Sequence, residues 1–417
     1  MAFEGYRHGE AGFRRVSIAL FAGSFASFGL LYCLQPLLPE FTRVFDVSPA
    51  VATMAISMCT IGLGLALLVA GPLSDAVGRT VVMRWSLVGS SVVTGLCAIA
   101  PDWPFILAMR ALTGVVLAGF PAVAMAYLRE EVHASSHARA TGLYVGGNAL
   151  GGLSGRLVTG TLTEFGDWRL ALAGTAAFTM ICTVVVLAVL PASRNFTPGT
   201  RGLRASMRGY RAVLGDRGLL GLYVVPFVVM GAFVAMFNIA GFRLEAAPYL
   251  LPVGIAGLIY FAYPIGSISS AVAGRVADRV GPYRVIAVGF VIAIAGMALT
   301  FATPLWLFIT AITIVVIGFF AVHAVASAAV ATRAYAAGRP VASAAAIYLF
   351  AYYLGSSVFG TAAGSAWRAG AWPAVGWMDL AILGVGLAVA IALWVANSRS
   401  EPVSEARARS VSEPGSP

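Results

Sequence analysis

Apolar residues run through this chain in blocks of about 20, the length an α-helix needs to cross a hydrocarbon core roughly 30 Å thick. Twelve such runs are predicted, at 16–38, 49–71, 80–100, 104–128, 138–160, 169–191, 219–242, 253–273, 284–302, 304–328, 340–362 and 373–397. The fifth and eleventh are the weakest, because Gly, Ser and Asn dilute them. The runs divide six and six around a polar, basic stretch. The predicted organisation is therefore a cytoplasmic N-terminal segment (1–15), a six-helix bundle (16–191), a cytoplasmic linker (192–218), a second six-helix bundle (219–397) and a disordered cytoplasmic tail (398–417). The predicted fold class is an all-α membrane protein of twelve transmembrane helices.

Composition sharpens this reading. Hydrophobic residues make up 59% of the 417-residue chain and charged residues only 11%, against soluble averages of roughly half and about a quarter. Too few charges are present to cover a water-soluble surface. The chain has no lysine, so its net charge of +10 rests on arginine. With the N-terminus in the cytoplasm, all but six arginines fall on cytoplasmic segments; Arg43, Arg169, Arg243 and Arg368 lie on opposite loops, and Arg110 and Arg156 lie inside spans. That bias follows the positive-inside rule. Topology and lipid headgroups account for the basic balance, which excludes a nucleic-acid partner. Cys33, Cys59, Cys97 and Cys182 fall in separate spans with no metal-ligand spacing, so they are read as packing residues, and neither a metal nor a cofactor is expected.

Two copies of one short motif stand in equivalent places. The first is Gly71-Pro72-Leu73-Ser74-Asp75-Ala76-Val77-Gly78-Arg79, between the second and third runs; the second is Gly274-Arg275-Val276-Ala277-Asp278-Arg279-Val280-Gly281, between the eighth and ninth. Repeated halves joined at matching charged turns mark a two-bundle transporter, here two pseudo-symmetric six-helix bundles. Glycine permits the tight turn and close helix approach, and a carboxylate such as Asp75 can sit at the positive N-terminal end of a neighbouring helix. Span 11 opens with Arg339-Pro340, and proline suits a first helical turn.

Polar residues inside spans are candidates for the transport path. Arg110 enters its span by about seven residues, roughly 10 Å at 1.5 Å per residue, and must face protein or water there. It serves transport or pins backbone carbonyls. In span 5, Gly147, Gly151 and Gly155 form a groove for a close-packed helix, while Tyr144, Asn148, Gly152 and Arg156 form an adjoining polar stripe. Tyr32, Gln35, Tyr144, Asn148, Asn238, Tyr260, Tyr263, Tyr348 and Tyr352 are expected to line a central cavity. No Asp or Glu lies in the middle third of a span; Asp379, Glu40 and His323 remain as carriers of a coupling proton, beside Arg110 and Arg156.

The chain resembles the major facilitator superfamily over nearly its whole length. Gly71-x-Leu73-Ser74-Asp75-x-x-Gly78-Arg79 is similar to that superfamily's signature loop, with Thr80 in place of its second basic residue. Arg110-x-x-x-Gly114 resembles a second motif linked to proton transfer. Span 5 is similar to the antiporter motif Gly-Pro-x-x-Gly-Gly, with Asn148 in the proline position. Phe237-Asn238-x-x-Gly241-Phe242-Arg243-Leu244 and Tyr352-Tyr353-Leu354-Gly355-Ser356-Ser357 look closest to bacterial inner-membrane permeases related to twelve-span drug:proton antiporters. The resemblance implies that Asp75 docks at the start of span 11 when the cytoplasmic side is closed, and Asp278 at the start of span 5.

The function expected is secondary active transport of a small organic solute by alternating access, as proton-coupled efflux across the cytoplasmic membrane, by a monomer in the lipid bilayer. Uptake or exchange of an anionic or sugar-like metabolite is the alternative, favoured by the two intramembrane arginines. A non-transporting membrane sensor is a third reading, without an appended signalling domain to support it. No nucleophile-and-base pair marks an enzyme.

Overall fold

The computed structural model describes residues 3–196 and 203–412, with side chains described for 3–196 and 204–398. The expected tail beyond Ser398 and part of the linker, Arg201 included, lie outside those side chains. Every regular element among the described residues is helical, apart from one isolated bridge between Tyr6 and Val132. In chain order the helices are α1 (Ala11–Tyr32), α2 (Leu38–Val44), α3 (Pro49–Val77), α4 (Arg79–Cys97), α5 (Trp103–Leu117), α6 (Gly119–Glu131), α7 (His137–Phe165), α8 (Trp168–Val189) and α9 (Leu203–Leu214). They continue with α10 (Arg217–Glu245), α11 (Val253–Ala256), α12 (Tyr263–Val280), α13 (Pro282–Leu299), α14 (Leu305–Ala336) and α15 (Val341–Ser412).

Ten stretches are long and apolar enough to cross a membrane. The 29-residue α7 is not among them, since its glycines, Asn148 and Arg156 lower its hydropathy as the sequence predicts. Run 4 is covered by α5 and α6 in succession, and runs 11 and 12 both lie in α15, which breaks its helical geometry at Gly370 and Ala371.

Capping residues set several helix starts. Ser48 accepts from Val51 N–H ahead of Pro49, Asp102 from Phe105 N–H ahead of Pro104, and Asp167 from Arg169 and Leu170 N–H. Each supplies an acceptor to a first turn whose N–H groups have no helical partner. At the two motif turns the backbone runs through positive φ, +110° at Gly78 and +91° at Gly281. A side chain there would be strained, which is why glycine recurs at both.

Packing follows the small residues. α1 lies against α7 so closely that a Cβ on Gly147, Gly151 or Gly155 would strike the backbone of Phe21, Phe25 or Gly29 respectively. Across the chain α3 packs on α15, with Ser57, Thr60, Ser357 and Thr361 joined by hydroxyl bonds of 2.7–3.1 Å. Broad exposed apolar faces, such as Leu65, Val69, Leu73 and Trp85, are what a lipid-facing surface requires.

Candidate functional site

Two helices break where they meet α7. After α1 the chain turns through a 3₁₀ segment, Gln35–Leu37, before α2; between α11 and α12 a second 3₁₀ segment covers Gly257–Ala262. Pro36 and Pro264 mark these breaks, and each segment packs on α7. Irregular backbone at such depth is tolerated where it is buried in protein or lines a cavity.

Arg156 of α7 sits between the two breaks, 1% exposed. Its Nε donates to Gln35 Oε1 at 2.6 Å, Nη1 to Gly152 C=O at 2.6 Å, and Nη2 to Tyr263 Oη at 3.0 Å. The rings of Tyr32, Tyr260 and Tyr263 each lie 4.8 Å from its guanidinium carbon. Gln35 Nε2 donates in turn to Asn238 Oδ1 at 2.8 Å, and Asn238 Nδ2 to Gly360 C=O at 3.3 Å. Six of the sequence-predicted residues therefore form one network drawn from both halves of the chain. Every direct partner of the guanidinium is neutral: an amide, a peptide carbonyl and aromatic hydroxyls or faces. None of the ion pairs among the described residues includes Arg156. The Tyr32 hydroxyl, buried beside it, has no hydrogen-bond partner.

A second cluster lies toward the chain-terminal end of the molecule. Tyr348 Oη and His323 Nδ1 are 2.9 Å apart, and the His323 ring lies 4.8 Å from Tyr352 and 5.9 Å from Phe319. Phe319 stacks on Phe233 at 3.8 Å, and Phe233 meets Tyr263 at 5.6 Å. A continuous run of rings thus links His323 to Arg156. Tyr144 and Asn148 sit roughly 18 and 12 Å back along α7 from Arg156, at 1.5 Å per residue. Tyr144 packs in the smaller apolar core around Phe120 and Tyr127, with Asn148 one turn further along α7 beside its hydroxyl.

Arg110 is fully buried and makes three bonds, all to backbone: Nε to Ala55 C=O at 3.2 Å, Nη1 to Leu30 C=O at 3.1 Å and Nη2 to Leu31 C=O at 2.7 Å. Leu30 and Leu31 belong to the last turn of α1, where carbonyls have lost their helical donors. A cation at a helix C-terminus is also favoured by the macrodipole. The geometry is thus that of the carbonyl-pinning alternative.

Glu40 is half-buried, with one carboxylate oxygen unbonded, beside a cavity of about 570 Å³ shared with Arg43, Glu164 and Glu245. Here Arg43 pairs with Glu245 at 3.5 Å, and Glu164 accepts from Gly254 N–H at 2.8 Å. Sequence reasoning missed these contacts, because nothing local says that helix ends so far apart in the chain will meet. Asp379, in α15, is fully buried with neither oxygen bonded, and it is not part of the Arg156 network.

In the first motif copy Asp75 pairs with Arg79 at 2.5 Å, and Arg79 reaches Glu130 at 2.9 Å and Ser74 Oγ at 2.6 Å. Glu130 was not predicted; its place at the end of α6 in an acidic Glu130-Glu131 pair was the available signal. Asp278 is exposed and forms neither a hydrogen bond nor an ion pair among the described residues. Neither aspartate docks on the other half in this conformation, and a Cβ at Gly71 or Gly274 would meet nothing within 4 Å. The polar contacts that join the halves are instead the Arg156 and Gln35 network, the α3–α15 hydroxyl bonds and the contacts of Glu164 and Glu245.

Residues 20–270 match the profile of the Major Facilitator Superfamily. The chain is 38% identical over 323 residues to the uncharacterized MFS-type transporter YybF of Bacillus subtilis (strain 168), covering 77% of this chain and 80% of that one. It is 41% identical over 275 residues to the inner membrane transport protein YnfM of Escherichia coli (strain K12), 66% of each chain. Its fold is that of a bacterial homolog to the human lysosomal transporter Spinster, with TM-score 0.73, 16% identity, and coverage of 94% of this chain and 98% of that one. A helical chain with a polar network between broken helices, matched to this profile over more than half its length and to transporters over about two thirds or more, belongs to the Major Facilitator Superfamily and is a secondary transporter, not an enzyme.

Proposed function

We propose that the chain carries a small organic anion by alternating access between two six-helix bundles, with Arg156 as the group that holds the anion. The single observation behind this is a buried guanidinium with no carboxylate partner. A charge taken out of water costs several kcal/mol even after relaxation, and good geometry with a counter-charge is what recovers it. Neutral amide, carbonyl and aromatic contacts supply only part of that. A carboxylate, sulfonate or phosphate on the substrate supplies the rest, and the arginine fork matches any of the three bidentately. Because Gln35 and Tyr263 come from opposite halves, an anion that takes over their bonds to Arg156 also alters what holds the halves together.

Counting α7 as a span and dividing α15 at Gly370 brings the ten apolar stretches to twelve. The arginine bias supports placing the termini, the linker and both motif turns in the cytoplasm of a bacterial inner membrane. In that orientation the Glu164 and Glu245 contacts between the halves lie on the outer side, and neither motif aspartate on the inner side reaches the other half. Export coupled to protons remains the direction to test first, supported by the likeness of span 5 to an antiporter motif; Asp379, buried and unbonded, is the strongest proton carrier.

The test is flux of organic anions in proteoliposomes holding the purified chain, with and without a pH gradient. Saturable anion flux that Arg156→Gln removes supports the reading. Equal flux of neutral or cationic solutes through Arg156→Gln overturns it.

A further inference from the structure

The linker helix α9 presents two opposed faces. Gly209, Tyr210 and Val213 are buried against the transporter body. Tyr210 Oη donates to Leu68 C=O of α3 at 2.7 Å, and Gly209 packs on Ser343 and Pro340 at the start of α15. The helix therefore straddles the seam between the halves. Leu68 lies nine residues before the end of α3, roughly 13 Å along the helix axis. That holds α9 beside the ends of the spans.

On the opposite face Arg204, Arg208 and Arg211 are all exposed. Spacings of four and three place them in one stripe. None forms an ion pair among the described residues, and the nearest acidic side chain in sequence, Asp216, is taken by Arg333 at 2.9 Å. Like charges four apart on a helix are unfavourable, so the stripe lacks its counter-charge within the protein. Met207 and Leu214 are exposed beside it, 48% and 45%. An arginine stripe with an apolar flank, fixed where helices leave a bilayer, matches the interfacial helices that bind acidic lipid.

We propose that α9 binds anionic phospholipid headgroups through Arg204, Arg208 and Arg211, so that the bound lipid lies on the seam between the two halves. Met207 and Leu214 enter the adjacent acyl boundary. Phosphatidylglycerol has the required chemistry: one phosphate charge on a lipid that remains in the plane of the membrane.

The experiment uses the full chain with its four cysteines replaced and an environment-sensitive fluorophore on Met207→Cys, in nanodiscs of phosphatidylcholine with increasing phosphatidylglycerol. Emission should shift to the blue and saturate as phosphatidylglycerol rises. Each arginine changed to glutamine should raise the half-saturating phosphatidylglycerol content roughly fivefold, from about 1 kcal/mol per basic residue near such a surface. Arg204→Gln/Arg208→Gln/Arg211→Gln should abolish the shift; if that variant does not fold, Arg208→Gln alone carries the test. Equal emission in discs with and without phosphatidylglycerol overturns the proposal, as does a full shift in the arginine variants. A shift reproduced by inorganic phosphate in pure phosphatidylcholine discs overturns the lipid assignment.

Discussion

The guanidinium of Arg156 and the side-chain oxygen of Gln35, 121 positions apart, meet at 2.6 Å, and this bond ties the polar stripe of α7 to the break after α1. Gln35 passes the link to Asn238 on α10, so one charged group orients polar side chains from both halves. A buried network of this kind is rigid while every member is satisfied and costly once one is removed.

Arg156→Gln should therefore weaken binding of an organic anion by roughly 30-fold or more, since truncating one side of a buried, hydrogen-bonded charge pair costs about 2–5 kcal/mol. Arg156→Lys should recover only part of it, because a lysine lacks the planar fork. Ligand-induced shifts in unfolding temperature across a panel of carboxylates, sulfonates and phosphates measure this directly. An unchanged shift in both variants would place the anion elsewhere.

Arg110 should behave differently under the same treatment. Arg110→Ala removes the charged donor from three buried carbonyls; Leu30 keeps the weak Cys33 Sγ donor and Ala55 its place inside α3, whereas Leu31 is orphaned, at a cost of about 1–3 kcal/mol. The unfolding temperature should fall markedly and transport should be lost with it; Arg110→Lys should rescue little. If Arg110→Ala keeps its unfolding temperature yet loses only proton-driven flux, the residue acts in coupling and not in holding the end of α1.

How far the sequence carries can be judged from these two arginines. Both were legible as functional candidates, because an arginine inside an apolar run must meet protein or water. Their partners were not, since Arg110 finds backbone carbonyls and Arg156 finds tyrosines more than 100 positions away. Hydropathy placed the ten stretches long and apolar enough to cross a membrane, and the fifth run falls below that mark as its glycines imply; the eleventh and twelfth lie together in α15. A straight stripe on a long helix passes through more than one environment: Tyr144, at the near end of the α7 stripe, packs in the smaller apolar core, whereas Arg156 meets the tyrosines of the other half.

Gly155→Ala should separate α1 from α7. An added Cβ would strike the carbonyl oxygen of Gly29, a backbone atom that cannot rotate away. Overpacking of this kind typically costs about 1–3 kcal/mol. Gly146→Ala on the same helix, where a Cβ meets nothing within 4 Å, should be close to neutral or slightly stabilising. Equal unfolding temperatures for the two variants would show that the helices can part without cost.

Asp216 gives a pH dependence with a definite sign. Burial alone would raise its carboxyl, but hydrogen bonds from Leu219 N–H, Arg333 and Gly218 N–H outweigh that and hold it below its ordinary range. A depressed carboxyl stabilises the fold above its unfolded value of about 3.9, and that stabilisation disappears as pH falls through the lower folded value. Asp216→Asn, which also weakens a helix cap worth about 1 kcal/mol, should lower the unfolding temperature at neutral pH. The gap to the parent chain should narrow below about pH 4. A gap that stays constant across that range would mean the carboxylate charge contributes nothing.

The gate can be tested through Asp75. In the present conformation it pairs with Arg79, a contact one-third exposed on the aspartate side and hence worth little, about 0–1 kcal/mol. When the motif end of the molecule closes, the same carboxylate is expected to reach the first turn of α15, where attraction to a helix N-terminus is about 0.3–1 kcal/mol and up to roughly 2 when partly buried. Asp75→Asn thus removes more from the closed form than from the open one. A difference of 1.4 kcal/mol moves a two-state ratio about tenfold, so the variant should populate the open form more and turn over more slowly. Ser343 makes a poor reporter, since α9 covers it through Gly209. A cysteine at Gly142, which is exposed on α7 with nothing within 4 Å of its Cβ position, should label faster in Asp75→Asn, with all four native cysteines replaced. Substrate-induced thermal shifts should stay at the parent value, because Asp75 does not touch the Arg156 network. Unchanged labelling together with normal flux would reduce Asp75 to shaping its own turn through Arg79.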